Sequence, residues 1–147
     1  MRRRTQAREY ALQIVYQLDI VGVSIAGILK RFWEEQKVSQ DIQDFSEELV
    51  KGTWKNLDHI DKLITKYSEH WNLERMAVID RSILRLAAYE ILYRYDIPPK
   101  VSINEAVEIS RKYSTPDSSK FINGILDKLI SHRKDLFNEN KASNNEE

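Results

Sequence analysis

Apolar residues recur every three or four positions along most of this chain, and no alternating apolar run bounded by turn residues interrupts them. The pattern predicts an all-α protein. Its densest part is Met76 to Tyr95, MAVIDRSILRLAAYEILYRY. At about 100° per residue, Ile79, Ile83 and Leu86 form one stripe, and Leu84, Ala88, Ile91 and Tyr95 form a second beside it. A surface helix keeps a polar half, which this stretch lacks, so it is expected to be a central helix against which several others pack. The charges it carries, Asp80, Arg81, Arg85, Glu90 and Arg94, must then be paired, snorkel to solvent or serve a partner.

Six further helices fit around it. From Thr5 to about Ile20, residues Ala7, Ala11, Ile14, Val15 and Leu18 share a face. A break at Val21 to Val23, centred on Gly22, precedes Ser24, which can cap a helix carrying Ile28, Leu29, Phe32 and Trp33. Ser39 opens a third, with Ile42, Phe45, Leu49, Val50 and Trp54 inward. After a pause at Asn56, a short fourth carries Ile60, Leu63, Ile64 and Tyr67, and Trp71 closes this half. Beyond the central helix, Pro98 and Pro99 force extended backbone, and Ser102-Ile103-Asn104-Glu105 reads as a capping box. Thr115, Pro116 and Asp117 suit the start of a last helix, which carries Phe121, Ile122, Ile125, Leu126, Leu129 and Ile130 and fades near Phe137. The expected organisation is one domain over residues 1–137, with halves of roughly 1–71 and 72–137, followed by a disordered acidic tail at 138–147.

A chain of 147 residues buries roughly two thirds of its unfolded surface. It contains no Cys, 4 Gly and 3 Pro, which removes disulfides, thiolate metal sites, cysteine nucleophiles and most glycine-loop phosphate motifs. No apolar run approaches the length of a membrane span, and Glu9, Gln13, Gln17 and Asp19 interrupt any signal-like region. A cytoplasmic protein without membrane contact is the natural reading. Lys plus Arg equals Asp plus Glu at 23 each, so net charge makes no case for a polyanionic partner. The distribution does: MRRRTQAR at the start holds four Arg and no acid, whereas NENKASNNEE at the end is acidic.

Arginines at a helix start oppose the helix dipole. Either the terminus is simply solvated, or an external anion compensates the penalty. Guanidinium groups bind phosphates bidentately and stack on unpaired bases, so the arm suits RNA or DNA. Tyr16 is either a stacking face or a packing residue, and Lys120 with Phe121 places a second cation and aromatic at a helix start. Catalysis has little support: His59, His70 and His132 are scattered, and no metal-ligand spacing or nucleophile motif occurs. Neither a metal nor a cofactor is expected.

Arg8-Glu9, Ala11-Leu12-Gln13 and Tyr16-Gln17, then Leu84 to Glu90, then Asp96-Ile97-Pro98 with Ser102 to Glu108, and finally Asp117 to Lys128 together resemble the NusB family of transcription antitermination factors. The match runs in register from about Arg4 to Ile130. The resemblance implies two small helical bundles sharing the central helix, about seven helices in all. It also implies a non-enzymatic role: binding single-stranded boxA RNA of ribosomal RNA operon transcripts, as a heterodimer with the ribosomal protein NusE. Other elongation factors and RNA polymerase would be engaged indirectly. Carried over by position, Arg2, Arg3, Arg4, Arg8, Tyr16, Asp117, Lys120 and Phe121 resemble the RNA side, and Asp80, Arg81, Leu84 and Arg85 the NusE side. Thr5 and Gln6 dilute the arginine run, and the acidic tail has no counterpart. The alternatives are the RNA-binding domain of a ribosomal RNA cytosine methyltransferase and a purely protein-binding helical module.

Overall fold

Every residue from Ser82 to Leu92 is buried, as the near-circumferential apolar pattern of that stretch requires. In the computed structural model, which describes residues 2–22, 24–69 and 71–145 with side chains as far as Asp135, this stretch forms the middle of seven helices. Val23, His70, Glu146 and Glu147 lie outside the described residues, as does the Phe137 side chain. In chain order the elements are α1 (Arg3–Val21), α2 (Ile25–Glu34), α3 (Gln40–Lys55), α4 (Leu57–Tyr67), a 3-10 turn (Leu73–Arg75), α5 (Val78–Tyr93), α6 (Pro99–Tyr113) and α7 (Pro116–Asn145). No strand occurs among the described residues.

Helix α5 packs against α1, α3, α4, α6 and α7. On one side α1 lies along α3, with α2 against both; on the other, α6 and α7 pair. Helix α4 sits mainly on α5 and α7, so it packs chiefly with the second group, although in sequence it closes the first. One continuous apolar cluster contains residues of all seven helices, from Leu12 and Leu29 through Leu49, Ile60 and Leu84 to Ile103 and Ile122.

Local signals set the ends. Gly22 closes α1 in the left-handed region (φ 68°), with its N–H donating to the Leu18 carbonyl. The Ser24 hydroxyl accepts the Gly27 N–H at 3.3 Å, and Thr115 accepts the Ser118 N–H at 3.1 Å. The capping box is a correction. Helix α6 begins at Pro99, whose ring presets the first helical φ, so Ser102 and Glu105 lie inside the helix and serve tertiary contacts. Helix α7 also continues to Asn145, past the point where its apolar pattern stops and into the stretch expected to be disordered. Glu139, Lys141 and Ala142 in that stretch favour helix without needing a core to pack on.

Candidate nucleic-acid interface

The arginine-rich start of α1 is largely spoken for by the protein itself. Arg8 is 5% exposed, and its Nε and Nη2 donate to the two oxygens of the buried Glu90 at 2.9 and 2.7 Å. Ser102 Oγ donates to Glu90 Oε1 at 3.0 Å, and Arg8 Nη1 lies 3.9 Å from Glu105. The pair is thus bidentate and further hydrogen-bonded, which a buried ion pair needs if it is to offset its desolvation. Arg8 is therefore a strut between α1 and α5, and its expected RNA contact is corrected by its burial.

Arg3 is exposed, but its Nε donates to Asp41 at 2.7 Å and its Nη2 to both Asp41 and, at 2.9 Å, Ser39. The Arg3 hydrogen bond holds the Asp41 carboxyl well below the usual range and raises the guanidinium. Arg4 is exposed with its guanidinium 4.5 Å from the centre of the Phe45 ring, and Arg94 approaches the same ring at 5.5 Å. Arg94 also pairs with Glu48 and, at 2.8 Å, with Asp96, whose carboxyl its hydrogen bond lowers to about 2. Arg2 is exposed, beside a shallow groove lined by Thr5, Val101 and Glu105.

The charges on α5 are internally matched as well. Asp80, 8% exposed, accepts from Ser114 Oγ at 2.6 Å and Ser118 Oγ at 2.8 Å. Arg81 donates to Asp19 at 2.5 Å and to the Leu73 carbonyl. Arg85 grips Asp61 with two bonds at 2.8 and 2.9 Å and lies 3.3 Å from Asp19. Leu84 is fully buried. Of the four residues expected to face NusE, Leu84 is corrected, because no part of it reaches the surface. The three charged ones fasten α5 to its neighbours.

Asp19 beside Arg81, and Asp80 beneath Ser114 and Ser118, bring the end of α1, the start of α5 and the α6–α7 turn to one end of the molecule. Tyr16, one turn before Asp19 and 39% exposed, lies toward that end of α1, and Asp117, Lys120 and Phe121 follow the α6–α7 turn. Asp117 and Lys120 are exposed, and Phe121 is half-buried. Lys120 has no hydrogen bond or ion pair among the described residues. Thirteen residues of α1 separate Arg3 from Tyr16, about 20 Å along the helix axis. The candidate residues therefore divide between two ends of α1. The flank of α6 connects them, parallel to α1, through Thr5–Glu105 contacts at 2.9 and 3.0 Å and a Lys112–Glu9 ion pair at 2.9 Å.

Trp71 is the residue that sequence reasoning missed. Expected to close a bundle, it is 56% exposed and meets Phe121 edge to face, with ring centres 5.9 Å apart. Its neighbour Asn72 is polar, a weak sign that a large aromatic there is not core. Among the described residues no group of side chains could hold a metal ion, and no helix is long and apolar enough to cross a membrane.

Comparison with known proteins agrees with this architecture. The NusB family model matches residues 5–131. The transcription antitermination protein NusB of Thermodesulfovibrio yellowstonii is 45% identical over 146 residues, covering 90% of this chain and 97% of its own length. That of Desulfitobacterium hafniense is 47% identical over 129 residues, covering 86% and 87%. Among solved structures, Thermotoga maritima NusB superposes with a TM-score of 0.79 at 35% identity, covering 87% of this chain and 90% of that one. A complex of the antitermination factors NusB and NusE with double-stranded RNA contains a chain that superposes at 0.81 with 26% identity, covering 90% and 98%. On its sequence, its seven helices and their arrangement, this chain belongs to the NusB family.

Proposed function

We propose that this protein is a non-catalytic transcription antitermination factor that binds single-stranded boxA-type RNA of ribosomal RNA operon transcripts, as a heterodimer with NusE. The observation that carries this reading is the α7 end, where the exposed Lys120, with no hydrogen bond or ion pair among the described residues, stands next to the half-buried Phe121. Cations and accessible rings are what recognition of unpaired RNA requires. In this reading the RNA runs along the α1–α6 flank from Arg2 and Arg4, past Lys112, to Tyr16, Asp117, Lys120 and Phe121. The distance of about 20 Å matches roughly six nucleotides at the stacked rise of about 3.4 Å per nucleotide in one strand.

NusE docks in this reading at the start of α5. There Asp80 and Asp117 border a groove of about 300 Å³ that Arg75, Met76 and Ala77 also line. Asp80, Arg81 and Arg85 shape that surface by fixing α5 to the α6–α7 turn, α1 and α4. A basic partner extends the cationic surface of a chain whose own formal charge is zero and so raises affinity.

Fluorescence anisotropy with a boxA-like single strand and a scrambled control, with and without NusE at several salt concentrations, tests the reading. Selective binding strengthened by NusE is expected. Equal weak binding of both strands, unaffected by NusE, would refute it in favour of a protein-binding module.

A further inference from the structure

We propose that Trp71 and Phe121 form a stacking platform for one unpaired nucleobase, flanked by Lys120 as the phosphate ligand and bounded at its other end by the Glu69-paired Lys128. The proposal rests on the RNA-binding reading above and extends that site to Trp71 and Lys128. A groove of about 250 Å³ lies on the far side of the Trp71–Phe121 pair from the one bordered by Asp80 and Asp117. Trp71 and Phe121 form its aromatic wall; Lys120, Gly124 and Lys128 of α7 run along it.

Three features give this groove the chemistry of a nucleotide site. First, the three α7 positions recur every four residues and so share one face of the helix, placing the two lysines about 12 Å apart along the axis. The middle position is glycine, and a Cβ built there meets nothing within 4 Å, so the space between the cations is open. Second, the backbone of Trp71 is fixed before any ligand arrives. Its N–H donates to the Ser68 carbonyl at 3.3 Å, and the hydroxyl of Ser68, itself 3% exposed, donates to the Trp71 carbonyl at 2.9 Å. Between them Glu69 adopts a left-handed φ of 49°, an uncommon conformation for a residue other than glycine. With the main chain held, only the side-chain torsions of Trp71 are left to order on stacking.

Third, charge favours a polyanion over an apolar peptide. Lys120 has no partner among the described residues, and Lys128 is steadied at the groove wall by Glu69 at 3.0 Å and the Tyr67 carbonyl at 3.4 Å. An indole bordered by the uncompensated Lys120 presents a π-face for a base and a counter-charge for an adjacent phosphate.

The test uses the full chain and a boxA-like single strand, prepared intact and as a series in which one base at a time is removed to leave an abasic sugar. Trp71→Ala is expected to bind the intact strand about 5- to 160-fold more weakly, the range spanned by one base–aromatic stack, and Trp71→Phe to fall between. For one abasic strand only, wild type and Trp71→Ala should bind equally, a coincidence that a general structural defect would not produce. Lys120→Ala should weaken all strands alike, and Lys128→Ala, which removes a cation already paired with Glu69, should have a smaller effect. If wild type binds RNA selectively but Trp71→Ala binds it equally well, the platform is refuted while the RNA reading stands. If Trp71→Ala instead loses NusE and keeps RNA, the groove docks protein and the proposal falls. Absence of RNA binding by wild type would overturn the RNA reading and the platform together.

Discussion

At the start of α1 four arginines fall within seven residues, and three are engaged by the protein: Arg8 by Glu90, Arg3 by Asp41 and Arg4 by the face of Phe45. At the start of α7 there is a single lysine, and it has no partner among the described residues. A count of cations ranks the first region as the nucleic-acid site. The geometry narrows the difference, because Arg3 and Arg8 are already neutralised or buried and release few counterions from a phosphate chain, leaving Arg2 and Arg4 there against Lys120 at the second region. What matters for binding is therefore the charge left uncompensated and the aromatic surface beside it, and the α7 end has both.

Glu90→Ala tests the α1 side most severely. It leaves the Arg8 guanidinium buried without a counter-charge, at a cost of about 3–5 kcal/mol, and should lower the thermal midpoint by on the order of 10 °C in calorimetry. A loss below about 1 kcal/mol would mean that Arg8 escapes to solvent and remains available to RNA. Asp80→Ala probes the other end. Removing the carboxylate that receives Ser114 and Ser118 should cost about 1–3 kcal/mol and speed amide exchange in residues 114–121 ahead of the rest. Uniform loss of protection would show that Asp80 supports the whole core instead.

A smaller effect distinguishes paired from unpaired cations directly. Lys120→Ala should reduce the salt dependence of RNA binding by about 0.7 in the log–log slope, the contribution of one phosphate contact on a single strand. Arg3→Ala should leave the slope nearly unchanged, since Asp41 already neutralises that arginine. Equal slopes for the two variants would erase the contrast. The smallest effect is on acid stability. Asp41 and Asp96 have carboxyls depressed below the ordinary value of 3.8. Their contribution is thus present above about pH 4 and is lost as pH falls through the folded values. Asp41→Asn should flatten that part of the stability–pH curve, measured by denaturant unfolding between pH 5 and pH 2 (about the range over which such groups titrate), by slightly lowering stability at neutral pH while leaving it nearly unchanged at the acid end.

The fold was readable from the chain because helical periodicity is local: α5 announced its burial, and Gly22, Ser24 and Thr115 marked their ends. The grouping of Asp117, Lys120 and Phe121 at the start of α7 was readable too, since they fall within five positions of one another. What failed was whatever depended on distant partners. Arg8 meets a glutamate 82 positions away, and nothing around Arg8 distinguishes it from its solvated neighbours. Ser102 and Glu105 have the spacing of a cap, yet Glu90 and Thr5 recruit them from other helices. Trp71 has the composition of a core residue and the environment of a surface one.

Because α5 is enclosed from Ser82 to Leu92, neither bundle possesses an interior of its own, and each is completed by the other. Such an arrangement melts as one cooperative unit, with the amides of α5 opening only when the whole molecule opens. A ligand held at the start of α7 then protects α2 and α3 as effectively as the helices it touches, since mass action stabilises the entire folded state. Occupancy at one end of the protein can thus be read as longevity of the other.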